Sequence, residues 1–185
     1  RIDNPQPSKM NQFGRPNACN LCHLDRTVSW AQNTVDRLWK GTSTRLSDPR
    51  DRLAAGVDWI LRGDAALRAM AGYHLGWSPA RSVSDVDSWA IPLWAQLLMD
   101  DYSAVRAVAG RSLKATVLAD GLSFDFTAGR PHARGISEKL IEKWALSKDT
   151  SMTAPSLLMK AGKFDYDRMK RLRRQRDKRS VRIAE

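Results

Sequence analysis

One nine-residue segment occurs twice in this chain. Leu67-Arg68-Ala69-Met70-Ala71-Gly72-Tyr73-His74-Leu75 is matched by Val105-Arg106-Ala107-Val108-Ala109-Gly110-Arg111-Ser112-Leu113, 38 residues downstream. The same shift lays Asp58-Trp59-Ile60-Leu61 on Gln96-Leu97-Leu98-Met99, again mostly apolar. A recurrence of this length marks a repeated supersecondary unit. Leu67, Met70, Ala71, His74 and Leu75 fall on one side of a helix. Each unit therefore reads as a helical hairpin that cannot bury its apolar face alone and stacks on its neighbour.

The rest of the chain carries helix signals too. Asp25 or Thr27 can cap a helix with Trp30, Val35, Leu38 and Trp39, ending at Gly41. Asp48 as cap, Pro49 at the first helical position and Asp51 in the first turn start another. That helix carries Leu53, Val57, Ile60 and Leu61 and stops at Gly63. Asp64 opens the next, which stops at Gly76. Trp89–Met99 and Ser103–Ala119 form a second pair, and Ile136–Leu146 is a shorter helix with Leu140, Ile141 and Trp144 on one side. No strand-like alternation of useful length occurs, so the expected fold class is all-α. Hydrophobic residues at 42% and charged ones at 28% allow a real core and exclude wholesale disorder. The longest apolar run, Trp89 to Met99, is broken by Pro92 and Gln96. It falls short of the roughly 20 residues a membrane span needs, so the reading is a soluble chain.

Charge is unevenly spread. The chain nets +11, and the window Lys160–Arg182 alone holds eleven basic residues against three acids, or +8. The body is close to ordinary and the tail is the basic element. At the other end, Arg1-Ile2-Asp3-Asn4-Pro5-Gln6-Pro7 reads as an extended linker, because each proline holds its predecessor out of helix. No leader pattern follows Arg1, and the expectation is a downstream piece of a longer polypeptide.

The two cysteines lie three apart, in Cys19-Asn20-Leu21-Cys22-His23. Cys-x-x-Cys-His is the attachment sequence of c-type haem. Two thiols at this spacing add to the two vinyl groups on one porphyrin edge, and the next residue meets the iron as proximal ligand. Three other readings compete. A thioredoxin-type redox pair expects a strand before the first cysteine, whereas Asn11 to Asn17 is polar and broken by Gly and Pro. A structural zinc site needs four ligands; His74 and His132 could contribute, but no second Cys pair or His-x-x-x-His exists. A disulfide across two residues closes too small a loop to matter. Covalent haem is the expected cofactor, with Cys19, Cys22 and His23 as its site. Since haem is attached outside the bacterial cytoplasm, a periplasmic or otherwise extracytoplasmic protein follows.

Helical hairpins whose second helix reads Asp-x-x-x-Val-Arg-x-x-Ala resemble HEAT repeats. Gly14-Arg15-Pro16-Asn17-Ala18-Cys19-Asn20-Leu21-Cys22-His23-Leu24-Asp25-Arg26, followed by Trp30, resembles the last haem-binding segment of multihaem c-type cytochromes. In these the haem domain runs into HEAT-like or TPR-like repeats. The resemblance continues through Tyr73-His74-Leu75-Gly76 and Asp101-Tyr102-Ser103-Ala104-Val105-Arg106, covering about residues 1 to 125. The expected organisation is a linker and haem c-binding segment at 1–45, two HEAT-like repeats at 46–120, a loop and capping helix at 121–150, and a basic C-terminal arm at 151–185. Further Cys-x-x-Cys-His motifs, usual in that family, are absent from this chain. Neighbouring haems would then sit on an upstream segment or on other subunits.

Only His74 and His132 remain for bis-His ligation. His74 is the preferred distal ligand, because its sister repeat has Ser112 at the same place, so packing alone does not demand a histidine there. The default for His132, in a loop after Arg130-Pro131, is a surface residue. Met10, Met70, Met99, Met152 and Met159 suit core or linker better than iron. The seven tryptophans read as core packing. The basic tail suits a solvated end, docking on an acidic protein, or an anionic membrane surface. Nucleic acid is a poor match for an extracytoplasmic haem protein. No acid/base pair or nucleophile stands out, so the expected function is electron transfer through one haem within a larger redox complex. Two alternatives are an interaction subunit with a structural haem, and catalysis at an open haem with His74 or Arg68 as distal groups.

Overall fold

The computed structural model describes residues 7, 14–39, 52–147 and 151–179. Ten α-helices run through them: α1 (Ala18–Cys22), α2 (Val28–Trp39), α3 (Ala55–Arg62), α4 (Ala65–Gly76), α5 (Ser78–Ser84), α6 (Val86–Trp89), α7 (Ile91–Leu98), α8 (Ser103–Ser112), α9 (Arg130–Ser147) and α10 (Tyr166–Arg173). The one sheet among them is a hairpin of two-residue strands, β1 (Met159–Lys160) and β2 (Lys163–Phe164). Its turn residues Ala161 and Gly162 have φ of 47° and 66°, the left-handed pair that a tight two-residue hairpin needs. The protein is mostly helical, as expected, and no helix among the described residues is long and apolar enough to cross a membrane.

The two repeated segments become α4 and α8, which pack on each other more extensively than any other pair of elements. Glycine makes that approach close. A Cβ on Gly76 would lie 2.7 Å from the Ser112 Cβ, and one on Gly72 would lie 3.8 Å from the Ala109 Cα on α8 and 3.3 Å from Leu97 Cδ1 on α7. Asp64 caps α4 by accepting from the Leu67 N–H at 2.9 Å. Trp89, Trp94 and Trp144 are fully buried between the helices. Each indole N–H finds a carbonyl, on Ser84 (2.8 Å), Ala109 (2.9 Å) and Ser88 (3.2 Å) respectively, as buried tryptophan requires. Helix α9 covers α7, with Ile136, Leu140 and Trp144 inward and the Ser137 hydroxyl donating to the Ala95 carbonyl at 3.1 Å.

Several boundaries differ from expectation. The Trp89–Met99 helix is two helices, because Pro92 lacks an N–H and fits only the first turn of a new one, α7. The Ser103 helix stops at Ser112 and continues as two 3₁₀ turns, Leu113–Ala115 and Val117–Ala119, divided by extended backbone at Thr116. Helix α9 starts at Arg130, six residues before Ile136, with Pro131 in its first turn. Asp48, Pro49, Asp51 and Gly41 lie outside the described residues, and α3 begins only at Ala55. Its N-cap, Ala54, has no capping side chain. Instead the Ala55 N–H donates to the Arg26 carbonyl at 2.8 Å and the Gly56 N–H to the Leu24 carbonyl at 3.0 Å. The loop after the cysteine pair thus takes the helix's orphan donors.

Residues 151–179 are seated on the body. Leu157, Leu158, Met159, Phe164 and Met169 join the core, and α10 packs on α3. Beyond it Arg176 reaches Asp100 Oδ2 at 3.0 Å and the Ile60 and Leu61 carbonyls at 3.4 Å each. The Asp177 N–H donates to the Arg62 carbonyl at 2.8 Å. The tail therefore closes the C-terminal end of α3, where free carbonyls favour a cation. The Asp100 side chain is 0% exposed and also accepts a bidentate pair from Arg68, at 2.8 and 2.9 Å. Arg106, the sister of Arg68, donates to the Asp100 and Asp101 carbonyls at 2.8 and 3.1 Å.

Burial alone would raise the Asp100 pKa. Hydrogen bonds from Arg68 and the Tyr102 backbone, with the charges of Arg68 and Arg176, outweigh it and hold the carboxyl below its ordinary 3.8. Burial and the Arg68 charge, opposed by Asp100, bring Arg176 down to about 10, still protonated at neutral pH. Asp100→Asn should cost about 3–5 kcal/mol in denaturant unfolding, since it leaves Arg68 buried without its counter-charge. A carboxyl depressed in the folded state stabilises above its unfolded pKa and loses that contribution as pH falls through the folded value. The wild type should therefore lose stability below about pH 4, and Asp100→Asn should flatten that acid limb.

Candidate functional site

Helix α1 is one turn long and carries the cysteine pair. Asn17, in extended conformation, caps it by accepting from the Asn20 N–H at 3.0 Å. It ends at His23, whose φ of −87° and ψ of 62° leave the helical region. Cys19, Cys22 and His23 are all partly exposed, and both thiols are free. The His23 ring lies 4.7 Å from the Trp30 ring, tilted by 54°. Trp30 is held in the first turn of α2, where its N–H donates to the Thr27 hydroxyl at 3.0 Å.

The two residues between the cysteines face the body. Asn20 is fully buried, and Leu21 packs against the core. At 100° per residue their mean direction is about half a turn from that of the two thiols. Asn20 does more than fill space. Its Nδ2 donates to the His23 and Arg26 carbonyls, each at 3.0 Å, and its Oδ1 accepts from Asn17 Nδ2 at 2.7 Å. The Ser84 hydroxyl, at the end of α5, accepts from the Leu24 N–H at 3.0 Å and donates to the Cys22 carbonyl at 2.5 Å. The motif is thus bolted to the repeats on one side, with its thiols on the other.

His74 lies at this mount. It is 8% exposed, and its ring meets Tyr73 and Trp77 edge-on at 5.3 and 5.0 Å. Burial lowers its pKa, while hydrogen bonding to the Leu21 backbone raises it, and the net direction is down. Its Nδ1 is buried without a hydrogen-bond partner in the described structure. His132 is elsewhere, near the start of α9, where its Nε2 accepts from the Asp125 N–H at 3.1 Å and its ring stacks on Phe124. Met70 and Met152 pack against the core, Met159 is inside it, and Met99 lines a cleft beside Asp100; Met10 lies outside the described residues. Arg68 is committed to Asp100 and the Gly63 carbonyl.

No group of three or more His, Cys, Asp or Glu side chains among the described residues is arranged to hold a bare metal ion. No protein-family model, curated protein or solved structure matches the chain.

The chemistry-bearing residues were legible from spacing, whereas their supports were not. Asn17 had a signal, as a cap residue just before the motif helix. Asn20 had none, because that position of the motif is free in the pattern. Ser84 is 62 residues from its partner. Asn20→Ala should cost about 1–3 kcal/mol in chemical unfolding, because it removes the hydrogen bonds of a fully buried side chain to Asn17 and to the His23 and Arg26 carbonyls. Gly56→Ala should also destabilise, since the added Cβ would sit 2.9 Å from the Leu24 carbonyl oxygen.

Proposed function

We propose that this chain carries one covalently attached haem c and transfers electrons through it, as part of a larger redox complex. The observation that carries this reading is the mount. Two free thiols and an imidazole occupy the outward side of a single helical turn whose inward side is pinned by Asn20 and Ser84. Such a face suits a flat porphyrin edge, with both thiols reaching the vinyl groups and His23 following as proximal ligand. The same arrangement is a poor match for zinc, which asks for four converging donors. Among the described residues, 15–17 directly before α1 are neither helix nor strand, whereas a thioredoxin-type pair expects a strand before it.

Bound haem would supply a one-electron Fe(II)/Fe(III) couple. The chain's own residues would hold it: Cys19 and Cys22 through thioether bonds, His23 at the iron, and Trp30 flanking the His23 imidazole on one side. In this reading the pairs α3/α4 and α7/α8 are two HEAT-like repeats that serve as a scaffold. Haem attachment places the protein in the periplasm or an equivalent compartment. Partners would be other haem-bearing subunits or an upstream segment. Lys170, Arg171, Arg174 and Lys178 remain exposed on the seated tail, and they form the cationic side toward an acidic partner or an anionic membrane surface.

Purified from a haem-maturing host, the protein should show a c-type pyridine haemochrome and an intact mass one haem above the polypeptide. Cys19→Ala with Cys22→Ala should abolish both, and haem surviving denaturation in that variant would end the proposal. The visible spectrum separates carrier from catalyst. A six-coordinate low-spin iron that ignores carbon monoxide is the expected result, and a high-spin, ligand-binding iron would favour catalysis.

A further inference from the structure

We infer that Ser84 and His74 are positioning residues for the attachment turn, and that His74 stands behind the motif rather than at the distal side of the iron. The consequence for haem rests on the reading above, while the geometry does not. The Cys22 carbonyl belongs to the peptide group before His23, and the Leu24 N–H to the one after it. One hydroxyl, that of Ser84, binds both, at 2.5 and 3.0 Å. The Leu24 N–H also donates to the Cys22 carbonyl at 3.0 Å, so His23 sits in a tight turn whose one closing bond is braced at both ends by the Ser84 hydroxyl, and the torsions of that turn aim the imidazole.

Ser84 is itself well fixed. It is 3% exposed, its carbonyl accepts from the Trp89 indole at 2.8 Å, and Asp85 turns the chain immediately after it with a φ of 42°. The clamp thus transmits the position of the buried Trp89 to the iron-binding residue. Such support around a ligand orients it and tunes the metal.

His74 lies on α4, which packs directly on α1, and hydrogen bonding to the Leu21 backbone works against burial on its pKa. Leu21 lies on the body side, about half a turn from the thiols in company with Asn20. A distal ligand must reach the iron across the porphyrin, on the side to which the thiols point. An unpartnered Nδ1 would suit a ligand, but the His74 side chain is buried, 8% exposed. Its ring is instead closed between Tyr73, Trp77 and the motif backbone.

The test uses the holoprotein, its Ser84→Ala and His74→Ala variants, and the haem-free Cys19→Ala/Cys22→Ala protein with and without Ser84→Ala. In the haem-free pair, Ser84→Ala should speed amide hydrogen exchange at Leu24 by about tenfold, because the remaining turn bond to the Cys22 carbonyl loses the hydroxyl that braces it at both ends. In the holoprotein it should split the low-spin electron paramagnetic resonance signal into more than one species, as His23 adopts more than one orientation. His74→Ala should keep the low-spin spectrum of the wild type. A change to high-spin iron that binds carbon monoxide in His74→Ala would make His74 the distal ligand and overturn the inference. Unchanged Leu24 exchange in Ser84→Ala would overturn the clamp. If the wild type carries no haem, the function proposed above fails, and the exchange experiment still decides the clamp.

Discussion

Asp100 is a carboxylate with no access to water, and its position ties three parts of the chain together. Arg68 comes from the first repeat, Arg176 from the C-terminal segment, and Asp100 itself from the turn before α8. Removing a charge from water costs several kcal/mol, and only close counter-charges and hydrogen bonds offset it. All three groups must therefore be in place together. The two arginines continue outward, Arg68 to the Gly63 carbonyl and Arg176 to those of Ile60 and Leu61. In this way one buried anion sets how α3, α4 and the tail meet.

That junction changes how the basic tail is understood. A run of arginine and lysine on a weakly charged body looks like a free electrostatic arm. Here the charges divide into two groups with different work. Arg173 and Arg176 point inward, to Gln96 and Asp100, and Arg168 donates to the Pro155 carbonyl. Lys170, Arg171, Arg174 and Lys178 point outward. This outward group, with Lys160, Lys163 and Arg179 also exposed, is the one open to the acidic or anionic partner proposed above, and its position is set by the first.

The Cys19–His23 motif is mounted on the same frame by a different device. Carbonyls of its loop, from Leu24 and Arg26, take the first N–H groups of α3, which has no capping side chain. The loop in turn is held by Asn20 and Ser84. Motif and scaffold each satisfy groups the other would leave unpaired. For the haem proposed above, such rigidity would hold the His23 imidazole in one orientation toward the iron.

Local signals decided much of this protein. The helical class followed from apolar spacing, the repeat from self-similarity, the cap at Asp64 from its residue type, and the thiol–imidazole set from a five-residue pattern. Each depends on residues within a turn or two of one another, so one sequence is enough to see it. Pro92 and Pro131 show where even local reading slipped: each was a start signal inside or before an apolar run, and apolar spacing alone carried the helix past it. What only the tertiary structure decided is which buried polar groups meet. Asp100 with Arg176, Ser84 with Cys22, and the Leu24 carbonyl with Gly56 join residues 76, 62 and 32 apart. A polar side chain looks the same in sequence whether it ends in water or against a distant backbone. Its partner is chosen when the chain packs, because burial is what makes an unpaired group costly.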